Sequence, residues 1–388
     1  MSRELRVAVL GAGGIIAPAI VRDLAESEEA SELLLLDLDE RRAAAVADTH
    51  GAAKARAQAV DARGGGLEQA LEGVDVLVNS ASYRVNLDAM RACLAAGCDY
   101  IDLGGLYRVT GQQLELDGEF AAVGRLALLG MGSSPGKTNV MAVRAVRELG
   151  STPQVVNVIA AGRDLDPPDG PSYPYSPRTL VDELTMEPMA VRDGAPVALE
   201  PMSDGGEVDF PEPIGRGQTL YTLHSEIRTF AESFGCTESS FRLSLAPAVL
   251  DRVRALVGAS EEEIAAAAAA AVPSSPRTVS VHVIDAGGPG GAVKVTAITR
   301  PMEEWGIGGG IVSTAAPAAA AVRLLARGSI EAAGAMPPER CVEPDDLFGE
   351  LERRNCTFEV EVKEALDEPP AASAKSERAG GSPAEVIG

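Results

Sequence analysis

The chain has 388 residues, 46% of them apolar, which is long enough for more than one core and too apolar for a disordered protein. Its formal net charge of −23 argues against nucleic acid or an anionic membrane as a partner, because no basic face could develop against that field. The cysteines Cys93, Cys98, Cys236, Cys341 and Cys356 are scattered and odd in number. That pattern fits reduced thiols in a cytoplasmic protein and gives no metal-ligand spacing. The chain start runs straight into a strand, which predicts no signal peptide, and no stretch approaches the roughly 18 uninterrupted apolar residues of a membrane span.

Residues 6–10 read as an apolar strand, followed by a Gly-rich turn and a helix over 18–26. Strands at 33–36, 57–60, 74–78, 100–103 and 127–131 then alternate with helices at 39–50, 67–71, 87–96 and 114–123. Strand and helix in strict alternation predict an α/β fold, a doubly wound parallel sheet of the Rossmann type. The pattern changes near Ser133. A helix over 136–149 and a strand over 155–160 lead into a Pro/Gly/Asp-rich loop reaching 171. Ser176-Pro177 opens a helix to 184, and 189–199 reads as a hairpin about Asp193-Gly194. Strands near 240–245, 278–284 and 292–299 complete an α+β second domain with a mostly antiparallel sheet. Residues 261–271 read as an exposed alanine-rich helix, and a helix over 314–326 is expected to return to the first domain. The expected divisions are 1–133 for dinucleotide binding, 134–300 for substrate and dimerisation, 301–366 packing back on the first domain, and a disordered tail at 367–388.

Gly11, Gly13, Gly14 and Ile15 lie between the first strand and the first helix, the context in which a glycine motif carries meaning. Gly11 permits the tight turn, Gly13 a close approach of backbone to a pyrophosphate, and the helix N-terminus offers free amides. Ile16 stands where the usual pattern has its third glycine. Asp37 ends the second strand, where a carboxylate accepts both ribose hydroxyls and repels a 2′-phosphate. It favours NAD over NADP, with Arg41 and Arg42 tempering the preference. Asp39 suits the N-cap of the next helix better than Asp37 does. Asp61 follows the third strand within reach of an adenine amine, and Asn79, Ser80, Ala81 and Ser82 follow the fourth strand on the nicotinamide side.

Residues 7–24, Val78-Asn79-Ser80, the run from Tyr100 to Gly105 and the run from Gly132 to Asn139 together resemble the saccharopine dehydrogenase family. The resemblance extends to about Glu364, and Pro337-Pro338-Glu339 is similar to the lysine 6-dehydrogenase branch rather than the long saccharopine reductases. It implies a Rossmann domain, a discontinuous substrate and dimerisation domain, a homodimer, and NAD(P)-dependent oxidation of an amino-acid C–N bond. Many reductases of that family carry Asp-Pro-Gly where this chain has Ser134-Pro135-Gly136, a departure that bears on the substrate.

Hydride removal from an amine carbon requires a neutral amine, and so a base near pH 7. His224 sits in the polar cluster Tyr221-Thr-Leu-His-Ser-Glu226; His50 and His282 read as structural. Lys137 begins a helix in the segment where the resemblance sets the cleft, and Asp102 ends the fifth strand. His224, Lys137 and Asp102 are therefore the catalytic candidates. Tyr83, with Arg84 beside it, and Arg163, Tyr173, Tyr175 and Arg178 are candidates for holding a small amino-acid-like substrate, with lysine-type, saccharopine-type and polyamine-conjugate substrates in that order. A dinucleotide-binding protein without turnover, or a dehydrogenase of alcohols or hydroxy acids, fits the same inventory.

Overall fold

The computed structural model describes residues 3–364. The first domain runs β1 (Leu5–Leu10), α1 (Ala17–Ala25), β2 (Ala30–Asp37), α2 (Glu40–His50), β3 (Ala55–Ala59), α3 (Gly66–Ala70), β4 (Val76–Asn79), α4 (Asn86–Ala96), β5 (Asp99–Asp102), α5 (Leu106–Leu114), α6 (Asp117–Ala122) and β6 (Leu126–Leu128). The second begins with α7 (Lys137–Leu149) and β7 (Val155–Asp164), then α8 (Pro177–Thr185), β8 (Met189–Arg192), β9 (Ala195–Ala198), β10 (Asp204–Asp209), β11 (Arg216–Tyr221), α9 (Glu226–Phe234) and β12 (Glu238–Ser244). It continues through α10 (Pro247–Ala255), α11 (Glu261–Ala269), β13 (Thr278–Gly288) and β14 (Gly291–Thr299) to α12 (Gly309–Arg327), β15 (Gly334–Met336), α13 (Pro344–Glu352) and β16 (Cys356–Glu364).

The first sheet has the order β15-β6-β5-β4-β1-β2-β3, and its pairs are all parallel. Strands buried on both faces explain the unbroken apolar runs of β1 and β2. The order reverses between β1 and β4, so the crevice where open α/β sheets bind ligands opens at their carboxyl ends. The second sheet has nine strands, with β10-β11-β12-β7-β13-β14-β16 as its main path. It is antiparallel apart from the β7–β12 pair. The Asp193-Gly194 turn has both residues at positive φ, 50° and 75°, as a two-residue hairpin requires.

The expected helix over 114–123 is instead two helices, α5 and α6. Gly104-Gly105 and the polar run Arg108 to Gln113 mimic a loop, but Thr110 and Gln113 are buried and their side chains serve the interior. The segment after residue 300 divides its strands between the sheets: β15 extends the first and β16 the second. Between them α12, with Pro317 inside it, packs against α1 and α13. By length and mean hydropathy α12 could cross a membrane, although Ser313, Thr314 and Arg323 interrupt its apolar run, and 78% of that stretch is buried as a core helix of this fold. A buried ion cluster fixes it: Arg323 bonds Asp23 of α1 at 2.8 Å and Glu350 of α13 at 2.6 Å. The five cysteines are free. The tail at 367–388 lies outside the described residues.

Candidate active site

The residues of the dinucleotide crevice fit the group that the motif implies. Gly11 has φ 75°, and a Cβ there would stand 2.7 Å from the backbone of Ala81. Helix α1 starts without a side-chain cap and with Pro18 in its first turn, so its leading amides are available to an anion. Asp37 accepts the Gly13 N–H at 2.8 Å and the Asp39 N–H at 3.0 Å, while Arg42 donates to the Gly13 carbonyl. Asp39, not Asp37, caps α2. Ile15 and Leu38 flank this acid and glycine turn with exposed apolar side chains, Leu38 at 76%. Asp61 is exposed and accepts the Arg63 N–H.

The loop after β4 is held from within. Asn79 donates to Asn86 at 2.9 Å and to the Tyr100 hydroxyl at 3.1 Å, and accepts from the Ala81 N–H. Ser80 donates to the Leu10 carbonyl, and Ser82 caps the short turn Tyr83–Val85. Their side chains shape the loop, which leaves its backbone for the crevice.

At the seam between the domains, His224 lies between two buried carboxylates. Its Nδ1 is 3.6 Å from Glu226 Oε2 and its Nε2 3.8 Å from Glu183 Oε2. The ring stacks on Phe241 of β12 at 3.5 Å between centroids. Glu226, the first residue of α9, accepts from Ser134 and from Thr138 through Oε1. Ser225 lies beside Gly104, at the carboxyl edge of β5. Burial opposes protonation of His224, but Glu183 and Glu226 outweigh it and raise its pKa above the ordinary value. Burial raises the Glu183 carboxyl. Burial also works to raise Glu226, but His224 and Ser134 prevail and hold it low. Both ring nitrogens and Glu226 Oε2 are buried without a hydrogen-bond partner. Unpaired groups this deep are costly unless a ligand completes them. The trio can hold a proton and pass it to or from a bound amine.

The other predicted residues divide. Tyr175 donates to Glu183 and so joins His224. Tyr83 and Arg178 meet beside it on Asp182, which is 5% exposed. The Tyr83 hydroxyl donates at 2.8 Å, Arg178 Nη2 at 2.8 Å and Arg84 Nη2 at 3.2 Å. Arg84 and Arg178 also pair with Glu261 of α11. Tyr173 is packed in the core. Arg163 lies across the second sheet from His224, next to Phe210, bonded to the Gly162 carbonyl and Ser244.

Two catalytic candidates are bonded within the interior. Asp102 is 1% exposed and accepts from Gly104, Gly130, Asn86, Tyr100 and Gln113. With its oxygens so occupied it is an anchor of the loops around it. Lys137 is fully buried; its ammonium points away from the cleft to Thr299 at 3.0 Å and Ser313 at 2.7 Å, and burial lowers its pKa. Sequence reasoning missed Glu226, although it stands two residues from His224. It also missed Asp182 and Glu183, which sit in an ordinary helical stretch with no local signal of their role.

A cavity of about 390 Å³ opens elsewhere, at the far end of the second sheet. Its charges already face one another across strands, with Asp285 opposite Lys294 and Lys294 opposite Glu361, so it does not compete with the seam.

Residues 7–128 match the family model described as the saccharopine dehydrogenase NADP-binding domain. Over 263 residues the chain is 23% identical to carboxyaminopropylagmatine dehydrogenase of Synechocystis sp., a match covering 65% of each protein and so just under two thirds of the relative. The saccharopine dehydrogenase (L-Glu forming) of Saccharomyces cerevisiae superposes with TM-score 0.69 at 14% identity, covering 92% of this chain and 100% of the other. The homospermidine synthase of Legionella pneumophila, in complex with NAD, gives TM-score 0.70 at 14% identity over 99% of this chain and 95% of the other. The first domain of this chain therefore belongs to the saccharopine dehydrogenase NADP-binding domain family, and the described chain as a whole has the saccharopine dehydrogenase-type fold.

Proposed function

We propose that this protein is an NAD(P)-dependent oxidoreductase acting on the C–N bond of an amino acid or amine conjugate, with NAD preferred. The observation that carries the reading is His224 between Glu183 and Glu226, with the adjoining Ser225 beside Gly104 after β5. A bound nicotinamide would supply the hydride acceptor. The crevice residues would hold the cofactor through Gly11, Gly13, the amides opening α1 and Asp37. His224 would take the proton that keeps the reacting amine neutral, the Glu226 charge 3.6 Å from Nδ1 would stabilise the protonated ring, and Phe241 would hold its plane. Asp37 supports NAD because its carboxylate opposes a 2′-phosphate. The NAD complex of the homospermidine synthase and the amine-derived names of the relatives support the same chemistry.

The test is absorbance of reduced cofactor when the purified protein meets NAD or NADP with L-lysine, saccharopine, diamines, monoamines and hydroxy acids. Reduction by an amine is the expected result. Turnover on a hydroxy acid alone would replace this reading with an alcohol dehydrogenase. Tight NAD binding with a silent panel would favour a dinucleotide-binding protein without turnover.

A homodimer and a cytoplasmic setting complete the proposal. Strand β16 is an unpaired edge of the second sheet with Val360 and Val362 exposed, the kind of edge that pairs with a second copy. Free cysteines support a reducing compartment.

A further inference from the structure

We propose that Glu183 is a specificity residue that seats a second, protonated nitrogen of the substrate, so that the preferred substrates are diamines or basic conjugates and not monoamines or aminocarboxylates. This rests on the reading of the seam as the site of amine oxidation. The two carboxylates beside His224 are not equivalent. Glu226 is wholly enclosed, and its Oε1 is taken by Ser134 and Thr138. Glu183 takes one protein donor, the Tyr175 hydroxyl on Oε2, and among the described residues Oε1 receives none. It is the carboxylate with capacity left for a ligand.

An unpaired atom nearby points the same way. Glu226 Oε2, across His224 from Glu183, is buried and unpartnered, so this carboxylate oxygen lacks a donor. An ammonium brings three donors and a carboxylate brings none. The arginines that the sequence offered for a substrate carboxylate are engaged or remote. Arg84 and Arg178 each pair with Asp182 and Glu261, and Arg163 lies across the sheet. Tyr175 holds the Glu183 carboxylate in place through its hydroxyl, which reduces the freedom lost on binding.

The experiment uses the full chain with NAD and matched probes of equal length: 1,4-diaminobutane, butylamine and 4-aminobutyrate, with L-lysine alongside. In wild type, kcat/KM for the diamine should exceed that for the monoamine by about tenfold or more. In Glu183→Gln that ratio should collapse toward one. Thermal shift of the NAD-bound protein should rank the probes in the same order. Amine turnover with equal rates for diamine and monoamine, or with 4-aminobutyrate preferred, would overturn this inference and leave the proposed function standing. If no amine is oxidised the proposed function falls, and the thermal-shift ranking by itself then decides the Glu183 assignment.

Discussion

The Tyr83 hydroxyl donates to Asp182 Oδ2 at 2.8 Å, and with this bond the loop after β4 in the first domain grips helix α8 of the second. Arg84 and Arg178 close on the same carboxylate, so one buried acid ties both walls of the cleft.

Replacing Asp182 with Ala should loosen that grip. Three donors would lose their shared acceptor, and because both arginines are partly exposed, water would soften the loss to about 1–3 kcal/mol. The expected signs are a lower thermal midpoint, a larger radius of gyration in solution scattering and a raised KM. An unchanged radius with unchanged KM would show that the clasp does not govern closure.

His224 predicts a pH dependence of defined sign. As a base it works without its proton, and Glu183 and Glu226 prevail over burial to raise its pKa above the ordinary 6.5. Amine oxidation should therefore decline as pH falls through that raised value, with half-maximal kcat/KM above 6.5. Glu226→Gln should move the midpoint down. For stability, the protonated imidazole contributes fully below the unfolded value near 6.5 and the contribution is lost as pH rises through the folded one. A midpoint insensitive to Glu226→Gln would remove His224 as the base.

Arg323→Met should cost about 3–5 kcal/mol, since Asp23 is wholly buried and would keep only Arg354 while Glu350 lost one of its two arginines at 2.6 Å. Denaturant unfolding measures it. Burial pushes the Glu350 carboxyl up, but Arg323 and Arg327 outweigh it and hold it at about 2. Its contribution is complete above the ordinary value near 4.5 and is lost as pH falls through about 2, so wild type should lose stability in that window more steeply than Glu350→Gln.

Gly11→Ala should abolish tight cofactor binding in a fluorescence titration with NADH, because the new Cβ would meet the Ala81 backbone at 2.7 Å from a φ of 75°. Asp37→Ala should narrow the NAD preference by roughly tenfold, since Arg42 remains beside Gly13 to meet a 2′-phosphate. Unaltered NADH affinity in the glycine variant would place the cofactor elsewhere.

Val362→Lys should shift the mass in solution from dimer to monomer if β16 pairs with a second copy, because a charge on an edge strand blocks sheet addition. A wild-type monomer by light scattering would end that part of the proposal.

The first domain was legible because its signals are local. Alternating apolar runs and turn glycines mark β1 to β6, Gly11 and Gly13 mark the crevice, and Asp37 follows at the expected interval. The Asp193-Gly194 hairpin and the Ser176 cap were read from a few residues for the same reason. The surroundings of Asp102 and Lys137 were not legible, since position at a strand end or helix start says nothing of how many partners the interior supplies. Glu183 and Asp182 carried no sign of their place, being adjacent helical acids whose sides face different partners only once α8 packs across the seam. The amino-acid sequence by itself determined the Rossmann domain and its crevice, because periodicity and turn chemistry act over neighbouring residues. The tertiary structure alone decided which charges meet around His224, because burial and long-range pairing depend on segments that the chain brings together only by folding.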